Sequence, residues 1–199
     1  MAFKVKDRFF HKAKTENYFA RSVYKLEEID KRFQVIKSNQ LVLDLGYHPG
    51  SWTQYASEVI GKDGRVVGID LYSINEKLLP LGNVRLFEKD IFDIKKPQDL
   101  GVDDFFDVVL SDMAPKTTGI KSVDQLKSLA LVESIFELLP ILLKPKGNLV
   151  AKIFESQGAQ DFLKKQKSLF KEFHYLRPEA TRKTSKEYFV IGLGFKGGK

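Results

Sequence analysis

LVLDLGYHPGSWTQYASEVI, residues 41–60, decides the fold. An apolar run interrupted only by Asp44 is followed by Gly46, Pro49 and Gly50, and then by a helical pattern over 52–60. A buried strand that turns through glycine into a helix is the opening of a βαβ unit. Glycine in that turn lets the backbone approach a ligand with no Cβ in the way, and the following helix N-terminus offers free N–H groups to an anion. The spacing Gly46-x-x-x-Gly50 is not G-x-G-x-x-G, so no pyrophosphate is specially provided for. The carboxylate of a methionine moiety fits the turn better.

Outward from this unit the same alternation continues. Runs at 65–69, 84–88, 105–111 and 148–154 are apolar on both faces, as buried parallel strands are. Helical patterns lie between them at 123–143 and after them at 159–170, while 73–81 reads mostly as loop. Upstream, Thr15 or Asn17 caps a helix running to about residue 33, with Tyr18, Val23, Leu26 and Ile29 on its buried face. Downstream, 173–176 and 188–195 read as two further strands. The expectation is an α/β chain forming one domain over 1–199. Residues 1–37 are a basic N-terminal extension and helix, and 38–199 carry the sheet. That sheet has seven strands, mostly parallel, with an antiparallel last strand and helices on both faces. A C-terminal hairpin adds one strand to the common dinucleotide-binding sheet and is typical of methyltransferase sheets.

Composition narrows the chemistry. The chain has no cysteine, which excludes disulfides, thiolate catalysis and Cys-based zinc sites. His11, His48 and His174 are dispersed and have no metal-ligand spacing, so no metal is expected. The basic start has no apolar core behind it, and no run approaches a membrane span, so a cytoplasmic protein without membrane attachment is expected. The net charge of +7 is unevenly placed: +5 over residues 1–37, −4 over 38–160 and +6 over 161–199. Basic ends around an acidic middle suit a polyanion-binding face flanking a differently charged pocket.

Carboxylates recur where strands end. Asp44 closes the first strand; Asp70 closes the second, where a carboxylate can accept both hydroxyls of a ribose. Asp90 follows the third and is placed to accept from an adenine amino group. Three such residues around one glycine turn point to an adenosine-containing ligand at the topological switch point.

With DLGYHPGSW, VLSDMAPK, LVAKIFES and SKEYFVIG read in order, the chain resembles the FtsJ/RrmJ family of S-adenosylmethionine-dependent ribosomal RNA 2′-O-ribose methyltransferases, of the RlmE type. The likeness runs from about residue 19 to residue 195. It implies a class I methyltransferase fold and a catalytic tetrad at Lys25, Asp112, Lys152 and Glu187. It also implies S-adenosyl-L-methionine contacts at Gly50, Trp52, Asp70, Asp90 and Asp112. The implied target is a uridine in the A-loop of large-subunit rRNA, within the ribosomal subunit, with the enzyme acting as a monomer. The family has small residues before the Pro-Gly and usually a second glycine after it; here stand Tyr47, His48 and Ser51.

A ribose 2′-hydroxyl is a weak acid and a sulfonium methyl is already activated, so such an enzyme needs positioning and a base. Lysine is a base only while neutral, which burial and a second ammonium favour and carboxylates oppose. Lys152, set among apolar neighbours, is the expected proton acceptor, with Lys25 as the neighbouring ammonium and Asp112 and Glu187 orienting the amines. Arg182, Lys183 and Lys186, with Lys12, Lys14 and Arg21 from the N-terminal side, are candidates for RNA phosphates. A tRNA or mRNA-cap 2′-O-methyltransferase is the rival within the chemistry, and a non-catalytic RNA-binding ribosome-assembly factor the rival outside it. A nicotinamide-dependent dehydrogenase is disfavoured by the missing phosphate fingerprint.

Overall fold

The computed structural model of the chain describes residues 7–197, so Lys4, Lys6 and Lys199 of the basic ends lie outside the described residues. Seven strands form one sheet in the order β3-β2-β1-β4-β5-β7-β6. They are β1 (Leu41–Leu45), β2 (Arg65–Asp70), β3 (Val84–Glu88), β4 (Phe106–Ser111), β5 (Leu143–Phe154), β6 (Phe170–Leu176) and β7 (Glu187–Phe195). Strands β1 to β5 pair in parallel, and β7 inserts antiparallel between β5 and β6. The chain walks from β1 through β2 to β3 and then returns to place β4 on the other side of β1. That reversal opens a crevice at the carboxyl ends of β1 and β4, where ligands of such sheets bind.

Period-two alternation sorts the core into two layers. Leu43, Leu45, Val109, Ala151 and Ile153 face α4 (Lys121–Leu142) and α5 (Gln157–Gln166), meeting Val132, Ile135, Leu139 and Leu163. Val42, Val108, Leu110, Val150, Phe189 and Ile191 face the other way. There they meet Leu26 and Ile29 of α2 (Val23–Phe33) and Trp52, Ala56 and Ile60 of α3 (Ser51–Ile60). Residues apolar on both faces are thus buried on both. The exceptions are the edge strands: β3 exposes Arg85 and Glu88, and β6 exposes Lys171, Glu172 and Tyr175.

Several boundaries differ from the sequence reading: α5 ends at Gln166 rather than near 170, and β6 begins at Phe170 rather than 173. The helix expected to be capped by Thr15 or Asn17 starts only at Val23, as α2, with neither residue as its cap. A separate helix α1 (Arg8–Thr15) precedes it, capped by Asp7, whose side chain accepts from the Phe10 N–H. Helix α1 closes when Asn17 turns to φ 60° and the Tyr18 N–H reaches the Ala13 carbonyl. That left-handed stop satisfies carbonyls a continued helix would have used, and Asn tolerates the conformation. Strand β5 starts at Leu143, directly after α4, pairing with Phe106 before a shift in register puts Asn148 opposite Val108. Within 73–81, a single 3-10 turn over Glu76–Leu78 interrupts the loop.

Candidate active site

The alternation that builds the core also aims the tetrad. Asp112 follows Leu110 by two residues, Lys152 follows Val150 by two, and Glu187 precedes Phe189 by two, so all three point to the α2–α3 side. Pairing of Phe154 with Glu187 sets the two strand ends side by side. From above, Lys25 stands one turn before Ile29 on the buried face of α2. The Lys152 Nζ donates to Asp112 Oδ1 at 2.8 Å and also to the Asp112 carbonyl. Lys25 Nζ lies 2.5 Å from Glu187 Oε1 and 3.9 Å from Asp112 Oδ1. Two ammonium groups therefore share one carboxylate. Exposure grades them: the Lys152 side chain is 7% accessible, those of Lys25 and Glu187 12%, and that of Asp112 20%. Charges this withdrawn from water persist only when paired, which the alternating amines and carboxylates achieve.

Beside the tetrad, the switch-point crevice is built from backbone. Gly46 sits at φ 72°, and a Cβ there would come within 2.3 Å of the Met113 side chain, so only glycine allows β1 and β4 to meet the turn so closely. Asp44 is buried and accepts from the Thr53 hydroxyl at 2.7 Å. Burial pushes its carboxyl up to about 7; the Thr53 hydrogen bond acts the other way, while Asp112 and Asp70 add to the rise. Asp70 takes the His48 N–H at 2.9 Å on one oxygen and the Tyr72 N–H at 3.1 Å on the other. Asp90 caps a short turn by accepting from the Phe92 N–H at 3.1 Å. A carboxylate has about four acceptor sites, so both retain capacity for ligand hydroxyl or amino groups. The donor set thus fits a cationic, adenosine-bearing cofactor: carboxylates, a close-approach glycine and an uncapped helix start.

Trp52 is placed differently from the other expected contacts. Its indole is 2% exposed, packs 5.7 Å from the Phe189 ring and donates to the Ser22 carbonyl at 2.8 Å. What it can offer a cofactor is its backbone N–H in the first turn of α3, not its ring. The departures from the family pattern also resolve as internal contacts. Tyr47 is buried and its hydroxyl accepts from the Asn75 N–H at 3.2 Å, Ser51 shares a 3.0 Å hydrogen bond with Ser22, and His48 lies 5.1 Å from the Tyr72 ring. Asn75 in turn donates to the Pro49 carbonyl at 2.7 Å, and Leu78 packs under Gly50. Sequence reading missed this brace and the exposed Leu71 and Phe92 just after Asp70 and Asp90. For Leu71 the available signal was an apolar residue directly following a strand-end aspartate; Phe92 stands one residue further on, after the buried Ile91.

Of the expected phosphate ligands, Arg182, Lys183 and Lys186 are exposed on the segment between β6 and β7. Arg21 is spent inside the protein, paired with Asp7 and donating to the Ala180 carbonyl. Lys12 lies 4.2 Å over the Tyr24 ring and 3.8 Å from Glu16. Among the described residues, no three His, Asp or Glu side chains gather as a metal site, and no helix is long and apolar enough to cross a membrane.

Residues 18–195 match the FtsJ-like methyltransferase family. A ribosomal RNA large subunit methyltransferase E of Desulfatibacillum aliphaticivorans is 45% identical over 97% of this chain and 92% of its own length. Its namesake in Bdellovibrio bacteriovorus is 43% identical over 98% of this chain and 100% of its own. A crystal structure described as a ribosomal RNA methyltransferase of Plasmodium falciparum superposes with a TM-score of 0.77 at 26% identity, over 91% of this chain and all of that one. Fibrillarin of Aeropyrum pernix, solved with natively bound S-adenosyl-L-methionine, shares the fold at a TM-score of 0.59 and 12% identity, over 80% of this chain and 68% of that one.

Proposed function

The chain belongs to the FtsJ-like methyltransferase family, and from that premise we propose that it methylates a ribose 2′-hydroxyl of large-subunit ribosomal RNA, at a uridine of the A-loop. Residues 1–199 serve as one methyltransferase domain, working with the ribosome in the cytoplasm. The observation that carries the reading is the sharing of Asp112 by two amines, Lys152 and Lys25, at the rim of a carboxylate-lined crevice. A binding module has no need of a buried and a half-buried lysine on one carboxylate.

S-adenosyl-L-methionine, when bound, supplies a methyl group activated by its positively charged sulfur. Gly50 and the first turn of α3 would hold the carboxylate end, with the Trp52 N–H rather than its ring. Asp70 accepts from ribose hydroxyls and Asp90 from the adenine amino group, while Leu71 and Phe92 provide apolar walls beside them. Asp112 faces both the cofactor crevice and the amines. Lys152, the most enclosed of the four, acts in its neutral amine form and takes the proton of the RNA hydroxyl as that oxygen attacks. It becomes the ammonium that Asp112 holds, while Lys25 steadies the developing alkoxide. Glu187 holds Lys25 in place from the outer side.

Two measurements test this. Lys152→Ala should lower turnover by roughly 10²–10⁴-fold, the range for loss of a general base, with cofactor affinity nearly unchanged. Asp112→Ala should damage both quantities, and Glu187→Ala should be the mildest of the four because Asp112 remains within reach of Lys25. Near-normal turnover of Lys152→Ala at saturating RNA would shift the base to Lys25. In calorimetry, Asp70→Ala should weaken S-adenosylmethionine by about 1–3 kcal/mol, the cost of unpaired polar partners.

A further inference from the structure

Four clefts follow one another along the carboxyl-end rim of the sheet, each sharing a wall with the next. The first, about 330 Å³, lies between Lys25 and Glu187 of the tetrad and Arg182 of the β6–β7 segment, and Ser185 separates it from the second, of about 230 Å³. Lys121, Gln125, Glu155 and Lys186 line both the second and a third of about 480 Å³. Glu155 and Gln160 join the third to a fourth of about 430 Å³, whose far wall is Lys164, Lys167, Tyr175 and Tyr188. The series leaves the α2 side of the sheet at the tetrad, crosses the ends of β5 and β7, and finishes on the α5 side.

Its charge suits a polyanion. Arg182, Lys186, Lys121, Lys164 and Lys167 are exposed along it, whereas of the carboxylates lining it Glu187 is held by Lys25 and Asp124 by the Thr118 and Gly119 N–H groups. Glu155 is the one exposed carboxylate in its walls. The far end is aromatic. Tyr175, 44% exposed on the edge strand β6, is braced edge-on by Phe173 at 5.5 Å and Tyr188 at 6.0 Å. The Lys167 ammonium stands 5.2 Å from its ring. A rigid exposed ring flanked by mobile cations is the combination that binds single-stranded nucleic acid, the ring stacking a base and the amines meeting phosphates. A protein-docking patch would be depleted of lysine at its centre.

We propose that this strip is a track for single-stranded RNA, along which the strand leaving the target nucleotide crosses the sheet rim and stacks an unpaired base on Tyr175. The inference rests on the RNA reading above and extends it to a second contact site on the opposite face from the tetrad. Lys164 and Lys167 serve the phosphates flanking the stacked base.

The test is binding of single-stranded RNA of about 6 and about 12 nucleotides, within the site sizes such grooves span, to the full-length protein with Tyr175→Ala, Tyr175→Phe and Lys164→Ala/Lys167→Ala. Tyr175→Ala should weaken the longer RNA about tenfold, as loss of one stacked base does, and leave the shorter nearly unchanged. Tyr175→Phe should restore wild-type binding, and the double lysine variant should flatten the salt dependence for the longer RNA alone. Calorimetry with S-adenosylmethionine reports on folding of each variant. Equal affinity of Tyr175→Ala and wild type for both lengths would overturn the proposal. So would a Tyr175→Ala defect seen on ribosomal subunits but not on free RNA, which would mark a protein contact. If the wild type bound no RNA and methylated no rRNA, the functional reading itself would fall, and the track with it.

Discussion

At the residue scale, the tetrad positions came from the family resemblance, three of them in motifs at strand ends and Lys25 within α2. Asp44, by contrast, showed only as an aspartate ending an apolar run. Its environment is set by Thr53 on the following helix and by burial, neither of which its neighbours in sequence announce. That environment has a consequence for stability. In the fold Asp44 keeps its proton up to about pH 7, while in an unfolded chain it loses it near 3.8. Between those values the native state binds more protons, so this contribution is fully present below 3.8 and is lost as pH rises through about 7. From about pH 5 to about pH 8 the loss amounts to about 3 kcal/mol from this group. Asp44→Asn keeps an acceptor for Thr53 and cannot ionise, so denaturant titrations across this range should show a correspondingly flatter profile. An unchanged slope would mean that Asp44 is already charged in the fold. Tyr47 teaches the same lesson about legibility: its role depends on Asn75, distant in sequence, and no local pattern reveals such a partner.

At the element scale, the parallel strands were legible because burial on two faces leaves uninterrupted apolar runs, and the helices between them because their period differs. The two-helix N-terminus was not, since the stop at Asn17 depends on a hydrogen bond from Tyr18 back to Ala13 that composition does not disclose. The early start of β5 was hidden for a similar reason, the pairing of Leu143 with Phe106 being decided by the neighbouring strand. Trp52 has an element-scale role with a functional edge. Its indole joins α3 to the residue before α2 and covers Phe189, whose ring lies 5.6 Å from the Lys25 ammonium. The ring therefore acts as a strut that sets α2, and through it Lys25. Trp52→Phe should cost about 1 kcal/mol of stability, the worth of one hydrogen bond, and lower turnover while leaving S-adenosylmethionine affinity almost unchanged. A large fall in cofactor affinity would show instead that the ring touches the ligand.

At the scale of the whole molecule, the uneven charge acquires a geometry. Arg21 donates to the Ala180 carbonyl, Glu28 accepts from the Glu179 N–H at 2.8 Å, and Arg8 pairs with Glu179 at 3.3 Å. These contacts tie α1 and α2 to the segment before β7, so the N-terminal helices and the basic stretch 182–186 flank the tetrad together. The cations of these segments are not equivalent. Arg182 and Lys183 are exposed, whereas Arg21 is committed to Asp7 and Ala180. Phosphate contacts release counterions, so RNA affinity should fall steeply with salt, and each contact removed should flatten the slope by about one unit. Reversing the charge of Arg182 and Lys183 should therefore weaken RNA binding and flatten its salt dependence without altering cofactor affinity. Arg21→Ala should behave differently. It breaks an internal tie between the N-terminal helices and the β6–β7 segment, and should lower the melting temperature before it changes the salt slope. RNA binding measured across a salt series, with thermal melts of the same variants, separates the two classes. If binding proves independent of salt, the basic face serves solubility alone, and target recognition must lie elsewhere.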